Sequence, residues 1–176
     1  AIKKECKNVK QNVGLLDMTA FAKCRIKGPG AEEFLDNLVA NKLPKKIGRI
    51  NLCHALNTKG GVHSEFTIMR EAEDSFYLVS AGAFQRLDHD WIHRWMPKDG
   101  SVQFENLTNS NGVLVVSGPK ARELMQRVST DDFSNENFKW LSAKMVDIGY
   151  APVNAMRVNF VGELGWELHH PIEYQN

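Results

Sequence analysis

Along the chain, short runs that alternate apolar and polar residues give way repeatedly to windows with helical spacing. Phe21 to Lys27 alternates like a half-buried strand. Gly28-Pro29 breaks it, and Pro29 suits the first turn of a helix because its missing N–H is no loss there. Ala31, Phe34, Leu35, Leu38 and Val39 then make one helical face, which ends near Asn41 and Pro44. Ile50 to Asn57 and Val62 to Arg70 predict two strands around Thr58-Lys59-Gly60-Gly61, whose glycines supply the positive φ of a tight hairpin. On the second strand, Val62, Ser64, Phe66 and Ile68 fall on one face, and His63, Glu65, Thr67 and Met69 on the other. Phe76 to Ser80 predicts a third strand after a polar turn. Ala83 to Met96 predicts a helix burying Phe84, Leu87, Trp91 and Trp95, ended by Pro97. Gly112 to Ser117 is almost wholly apolar, as expected of a strand covered on both faces. Gly118-Pro119 opens a helix with Ala121, Leu124, Met125 and Val128 inward, and strands are expected near Ser142 to Gly149, Asn154 to Phe160 and Gly165 to His169.

One pattern occurs twice. Gly28-Pro29-Gly30-Ala31-Glu32-Glu33-Phe34-Leu35 and Gly118-Pro119-Lys120-Ala121-Arg122-Glu123-Leu124-Met125 share G-P-x-A-x-E followed by two apolar residues, and each follows a strand. This reads as two related strand–helix units. The expected fold class is therefore α+β: antiparallel sheets with packed helices, partly ferredoxin-like, in one compact unit or two subdomains. With 176 residues the chain can bury roughly 70% of its unfolded surface, so it needs no metal or disulfide to fold. The stretch Ala1 to Cys6 reads as the middle of a helix, and the C-terminus follows closely on a strand, so both ends read as cut.

Charge narrows the function classes. With 22 basic and 21 acidic residues, the net charge of +1 offers no basic field for nucleic acid or for a membrane surface. Cys6, Cys24 and Cys53 are odd in number and lack C-x-x-C spacing, which suits apolar fillers in a reducing compartment, cytoplasmic or the mitochondrial matrix. No G-x-S-x-G, G-x-x-x-x-G-K-[ST], G-x-G-x-x-G or H-E-x-x-H occurs. His89 and His93 at i and i+4, beside Asp88 and Asp90, form a two-ligand face without a third ligand, so a solvated helix face opposite Trp91 and Trp95 is preferred and no metal is assigned. His54, His63, His169 and His170 read mostly as strand-surface residues.

Two hairpins carry candidate chemistry. Thr58 to Glu65 places Glu65 on the strand leaving a glycine turn, where a ligand can approach the backbone closely. Gly162-Glu163-Leu164-Gly165-Trp166-Glu167-Leu168 brings an aromatic and two carboxylates together, and a carboxylate can accept two N–H bonds from an amide–amine edge. On pattern alone, exposed strand glutamates explain both.

Six segments in order resemble the folate-binding domain shared by the glycine-cleavage aminomethyltransferase and the dimethylglycine and sarcosine dehydrogenases. They are Val13 to Phe21 (VGLLDMTAF), Gly28 to Ala31, Ala40 to Pro44 (ANKLP), Gly60 to Glu65 (GGVHSE), Ser117 to Ala121, and Gly162 to Leu168 (GELGWEL). The GELGWEL and DMTAF forms resemble the dehydrogenase branch. On this resemblance, residues 1–176 are a folate-binding domain incomplete at both ends, the cofactor is tetrahydrofolate, and FAD belongs to a flavin domain N-terminal to it. The resemblance implies that an amine-derived iminium or formaldehyde unit is captured as 5,10-methylenetetrahydrofolate, with the flavin domain as partner and the fragment alone nearly inactive.

Residue by residue, the resemblance puts Glu65 beside the folate N10 as the catalytic carboxylate, and Glu167 on the amino-pyrimidine edge of the same pterin. Phe21 falls at a pocket-lining position, and Tyr77, on the strand after the Glu65 hairpin, is a further candidate lining residue, with core packing the preferred reading. Phe160 stands where the family commonly has a tyrosine, and Ala81 where the glycine-cleavage branch has an asparagine; the family's pterin-contacting arginine lies beyond residue 176. Three alternatives stand beside this reading: a glycine-cleavage aminomethyltransferase with a lipoyl carrier protein as partner, a non-catalytic regulatory relative, and an interaction domain with no small-molecule site.

Overall fold

Turn residues set the element boundaries. The computed structural model describes residues 1–175. Its helices and strands run α1 (Ile2–Gln11), β1 (Gly14–Asp17), β2 (Ala22–Lys27), α2 (Ala31–Leu38), β3 (Ile50–Leu56), β4 (Val62–Ala72), β5 (Ser75–Ser80), α3 (Gln85–Trp95), β6 (Gln103–Asn106), β7 (Asn111–Ser117), α4 (Ala121–Val128), β8 (Ala143–Ile148), β9 (Ala151–Met156) and β10 (Gly165–Pro171). Single 3₁₀ turns at Gly82–Phe84 and Ile172–Tyr174 complete the described elements. No helix among the described residues is long and apolar enough to cross a membrane.

The chain divides into two compact units, residues 20–108 and residues 1–19 with 109–176. The first holds an antiparallel sheet in the order β3-β4-β5-β2-β6. One face of that sheet packs Cys24, Ile26, Phe66, Ile68, Phe76 and Leu78 against Phe34, Leu35 and Leu38 of α2 and Ile92 of α3. The second unit holds an antiparallel sheet in the order β1-β7-β10-β9-β8. Its core joins Val116, Trp166 and Leu168 to Met125 of α4 and to Phe133 and Phe138. Both units are α+β, as the alternating patterns predict.

The repeated Gly-Pro segments adopt the same conformation. Gly28 has φ 118° and Gly118 has φ 134°, both left-handed values that favour glycine. A Cβ at Gly28 would meet the Ser101 carbonyl at 2.4 Å, and one at Gly118 the Asn12 carbonyl at 2.5 Å. Each glycine carbonyl accepts the N–H three residues on, from Ala31 and Ala121, both at 2.9 Å. Each helix that follows is eight residues long and ends in an extended residue, Val39 or Ser129.

Several expectations are corrected. The helix after Gly82 buries Asp88 and Ile92, whereas Phe84, Leu87 and Trp95 are 58%, 46% and 53% exposed. The carboxylate of Asp88 is held by two serines from the sheet, and that rotates the helix away from the face read from its aromatics. Val128 is exposed at the end of α4, where the chain leaves the sheet. On β4, a bulge opposite Ala55 and Leu56 leaves His63 as the extra residue. Alternation is therefore broken: Val62 is 64% exposed, and His63 stacks on Trp91 at 4.0 Å. The strand expected at Asn154 to Phe160 is β9, which starts at Ala151 because the turn at Gly149, with φ 59°, sets its register against β8. Pro152 is tolerated there since only residues 154–156 also pair with β10. β1 and β6, four residues each, were outside the predicted strands.

Candidate functional site

Glu65 leaves β4 on the sheet face opposite Ser64 and Phe66, away from the helices. Across the β3–β4 pair it stands opposite His54, whose Nε2 lies 3.0 Å from Glu65 Oε2, a distance that a protonated Nε2 fills as donor. His54 is itself fixed by the Ala40 to Pro44 segment. Its N–H donates to Asn41 Oδ1 at 2.8 Å, and its carbonyl accepts the Ala40 N–H at 2.9 Å. This segment therefore caps the outer edge of β3 and orients the histidine that contacts Glu65.

The strand register shows what shares the row of Glu65. Ala22 pairs with Ser80, and Thr67 with Val79, so Glu65, Ala81 and Phe21 follow at the same end of three adjacent strands. At about 4.8 Å per strand, Phe21 lies about 10 Å from Glu65 along the row. Gly82 brings the loop close, since a Cβ there would meet the Ala20 carbonyl at 1.9 Å. Phe21 is half-buried. Tyr77 shares the sheet face of Glu65, paired with Met69 and Arg25, and is 2% exposed.

Behind Glu65 is a feature that sequence reading missed. Asp88, 3% exposed, accepts hydrogen bonds from Ser64 Oγ and Ser80 Oγ, both at 2.6 Å. His63 Nδ1 lies 2.9 Å from the same Ser64 hydroxyl. One carboxylate thus ties α3 to β4 and β5, immediately beside Glu65 in the chain. Burial pushes the nearby Cys24 thiol up to about 12, and the Asp88 charge adds to the shift. The available signal was Ser64 at an inward position with an acidic residue one turn before Ile92.

In the other unit, Glu167 lies on β10 between Val115 of β7 and Met156 of β9. It is 7% exposed, and its Oε2 lies 3.2 Å from Nε2 of His169, which is also buried. Trp166 points the opposite way. Its ring packs edge-on to Phe133 and Phe138 at 5.3 and 5.9 Å, with Arg122 and Arg157 over its faces. The grouping of an aromatic with two carboxylates is therefore corrected: Trp166 is core, Glu163 stays half-buried in the turn, and Glu167 alone faces away from the helix. His169 and His170 are buried rather than strand-surface residues, and His170 Nε2 lies 2.8 Å from Gln175 Oε1. Phe160 is 81% exposed on the turn after β9.

His89 is half-buried and His93 exposed, and both rings contact Phe104, at 4.8 and 4.5 Å. Among the described residues no group of three or more His, Cys, Asp or Glu side chains is gathered to hold a metal ion. His169 addresses Oε2 of Glu167, and Oε1 has no hydrogen-bond partner among the described residues. A nearly buried carboxylate oxygen in that state suits an N–H donor from a bound molecule.

The chain is similar to mitochondrial dimethylglycine dehydrogenase of Mus musculus, 38% identical over 167 residues that cover 94% of the chain and 19% of that protein. It is 32% identical over 186 residues to mitochondrial sarcosine dehydrogenase of Homo sapiens, covering 97% of the chain and 20% of that protein. The chain thus spans about a fifth of the length of the curated relatives it matches. In fold it resembles the glycine cleavage system aminomethyltransferase T from Bartonella henselae, with a TM-score of 0.83, 22% identity, and coverage of 97% of this chain and 45% of that one. The GCVT N-terminal domain matches residues 1–176, and the chain belongs to that family.

Proposed function

We propose that this chain is the tetrahydrofolate-binding, one-carbon-transfer module of an enzyme of the dimethylglycine or sarcosine dehydrogenase type. The observation that carries the reading is Glu167: a carboxylate held on β10, nearly buried, with one oxygen addressed by His169 and the other open to a donor. Membership of the GCVT N-terminal domain family supports it.

In this reading Glu167 accepts the N–H groups of the amino-pyrimidine edge of the pterin. Burial strengthens those bonds, because the local dielectric is low and water does not compete. Glu65 has the opposite setting. It is exposed, so its charge costs little to maintain, and the neighbouring His54 orients it. Its carboxylate directs the N10 nitrogen and stabilises positive charge as the one-carbon unit arrives. Tetrahydrofolate, when bound, supplies the nucleophilic nitrogens that take up an iminium or formaldehyde unit as the 5,10-methylene form. Phe21 and Phe160 line the ligand, while Tyr77, 2% exposed, serves as packing; Phe160 lacks the hydroxyl donor of a tyrosine. FAD, held by a separate flavin domain that is the partner of this module, would supply the amine oxidation, and the mitochondrial relatives support a place in the matrix.

Isothermal calorimetry with tetrahydrofolate tests the reading on this chain and on a version extended at both ends. Binding by the extended chain and weak or no binding by residues 1–176 is expected, since affinity depends on enclosure. No binding by the extended chain contradicts the assignment and leaves a regulatory relative as the reading.

A further inference from the structure

On the helical side of the sheet that carries β10, two arginines share one neutral acceptor. Arg122 stands in the first turn of α4, and Arg157 directly follows β9. Arg122 donates from Nη2 to Asn135 Oδ1 at 2.7 Å, and Arg157 donates from its own Nη2 to the same oxygen at 2.8 Å. Backbone carbonyls anchor the rest of each fork. The Phe133 carbonyl accepts from Arg122 Nε at 2.7 Å, and the Phe138 carbonyl accepts from Arg157 Nη1. Both guanidiniums also lie over the Trp166 ring, 5.8 and 5.7 Å from its centroid. Trp166 and Glu167 alternate on β10, so this cluster stands on the sheet face opposite Glu167 and owes nothing to the folate reading.

Neither cation has a counter-charge. Among the described residues no carboxylate lies within 4.0 Å of either guanidinium. Arg25, by contrast, meets Glu71 and Glu105 at 2.5 and 2.8 Å, and Arg70 meets Glu32 at 2.5 Å. Burial, and then the neighbouring Arg122 charge, lower the Arg157 guanidinium below its ordinary range. The amide oxygen of Asn135 satisfies one N–H from each arginine but neutralises no charge. Each guanidinium makes two hydrogen bonds and so keeps further N–H groups to donate. The indole Nε1 of Trp166 is also buried without an acceptor among the described residues.

We infer that Arg122 and Arg157 form a phosphate site, in which one oxygen of a phosphate dianion takes the bridging place of Asn135 Oδ1. Its other oxygens accept the remaining guanidinium N–H groups. Two fixed positive charges are balanced by a dianion and only half balanced by a carboxylate. The two forks, anchored on different carbonyls, converge on one oxygen from separate directions. That suits a tetrahedral group, whereas a planar carboxylate matches a single fork. Asn135 is exposed, so its side chain can move aside, and the ester substituent of a small phosphorylated molecule can project into solvent there. Both arginines are half-buried, which strengthens the bonds by excluding part of the competing water.

Sodium phosphate and glycerol 2-phosphate are titrated into the ¹⁵N-labelled chain at about pH 8, where the phosphate group is a dianion. Sodium chloride at equal ionic strength is the control, and the indole N–H signal of Trp166 is followed by NMR. A saturable shift is expected, with a Kd of about 0.1–5 mM, and acetate should bind at least about 10-fold more weakly. Arg122→Gln should weaken phosphate binding about 10-fold or more. Asn135→Asp, at an exposed position, sets a carboxylate between the two cations; it should abolish phosphate binding and raise the urea midpoint of the chain. Asn135→Ala should leave binding intact. Binding of both phosphates supports the site with the ester turned outward, and binding of inorganic phosphate alone supports it with the free ion as ligand. No saturable shift beyond the chloride control, equal binding by acetate, unchanged binding by Asn135→Asp, or loss of binding in Asn135→Ala would overturn the inference.

Discussion

The two units are built to one plan and differ in what they do with it. Residues 20–108 run β2-α2-β3-β4-β5-α3-β6 in the sheet order β3-β4-β5-β2-β6. The other unit runs β7-α4-β8-β9-β10 in the order β8-β9-β10-β7-β1, so β1 takes the edge place that β6 holds. Each edge strand follows a helix, α3 or α1, but in the second unit that pair comes from the start of the chain. Each unit also sets a glutamate beside a histidine on the sheet face turned away from its helical core: Glu65 with His54, and Glu167 with His169. The exposures are opposite. Glu65 has a 54% exposed side chain, and Glu167 10%. One topology thus places a solvated carboxylate in one unit and a nearly buried one in the other.

The cores offer the strongest way to break that comparison. Trp166→Ala removes the ring that Phe133 and Phe138 pack against and should cost about 3–5 kcal/mol. Asp88→Ala leaves two buried serine hydroxyls without their acceptor and should cost about 2 kcal/mol. Native-state hydrogen exchange reads both: the amides of β7 and β10 should lose protection first in the former variant, and those of β4 and β5 in the latter. Identical exchange patterns would show that the units do not open separately.

A smaller effect sharpens the likeness. Gly28→Ala and Gly118→Ala each force a Cβ onto a carbonyl oxygen at a left-handed φ, and each should cost about 1–3 kcal/mol in urea denaturation. A neutral result at one site only would show that the shared motif is structural in one unit and incidental in the other.

These glycines also mark what could be read in the sequence. The G-P-x-A-x-E echo, the Gly60 hairpin and the covered β7 strand are local signals, and the structure follows them. The missed features depend on distant partners. Asp88 reads as a solvated helix residue until Ser64 and Ser80, from two different strands, are seen to close on it. His63 is the extra residue of a bulge that shows only in the pairing of β4 with Ala55 and Leu56 of β3, and its ring stacks on Trp91. Trp166 and Glu167 are neighbours in sequence, but strand alternation sends one into the core and the other to the opposite face. β1 and β6 are too short to show a period of two.

The smallest expected effect concerns the ion pair of Glu32 with Arg70, which only the unit of residues 20–108 has. The hydrogen bond from Arg70 holds the Glu32 carboxyl below the usual carboxylate range. A depressed folded-state value stabilises the fold above the ordinary glutamate range, and that contribution is lost as pH falls through the lower folded value. Because Glu32 is solvent-exposed, Glu32→Gln should cost only about 0.5 kcal/mol or less at neutral pH and should flatten the acid limb of stability against pH.

The central claim is that the buried and the exposed carboxylate have separate tasks, and one measurement addresses it directly. Tetrahydrofolate binding and methylene-folate formation are compared in the longer protein for Glu167→Gln and Glu65→Gln. The account predicts binding about 10- to 100-fold weaker for Glu167→Gln. It predicts near-normal binding but impaired one-carbon transfer for Glu65→Gln, with amine oxidation spared in both. Full binding by the Glu167 variant, or an equal fall in amine oxidation when Glu65 is changed, would contradict it.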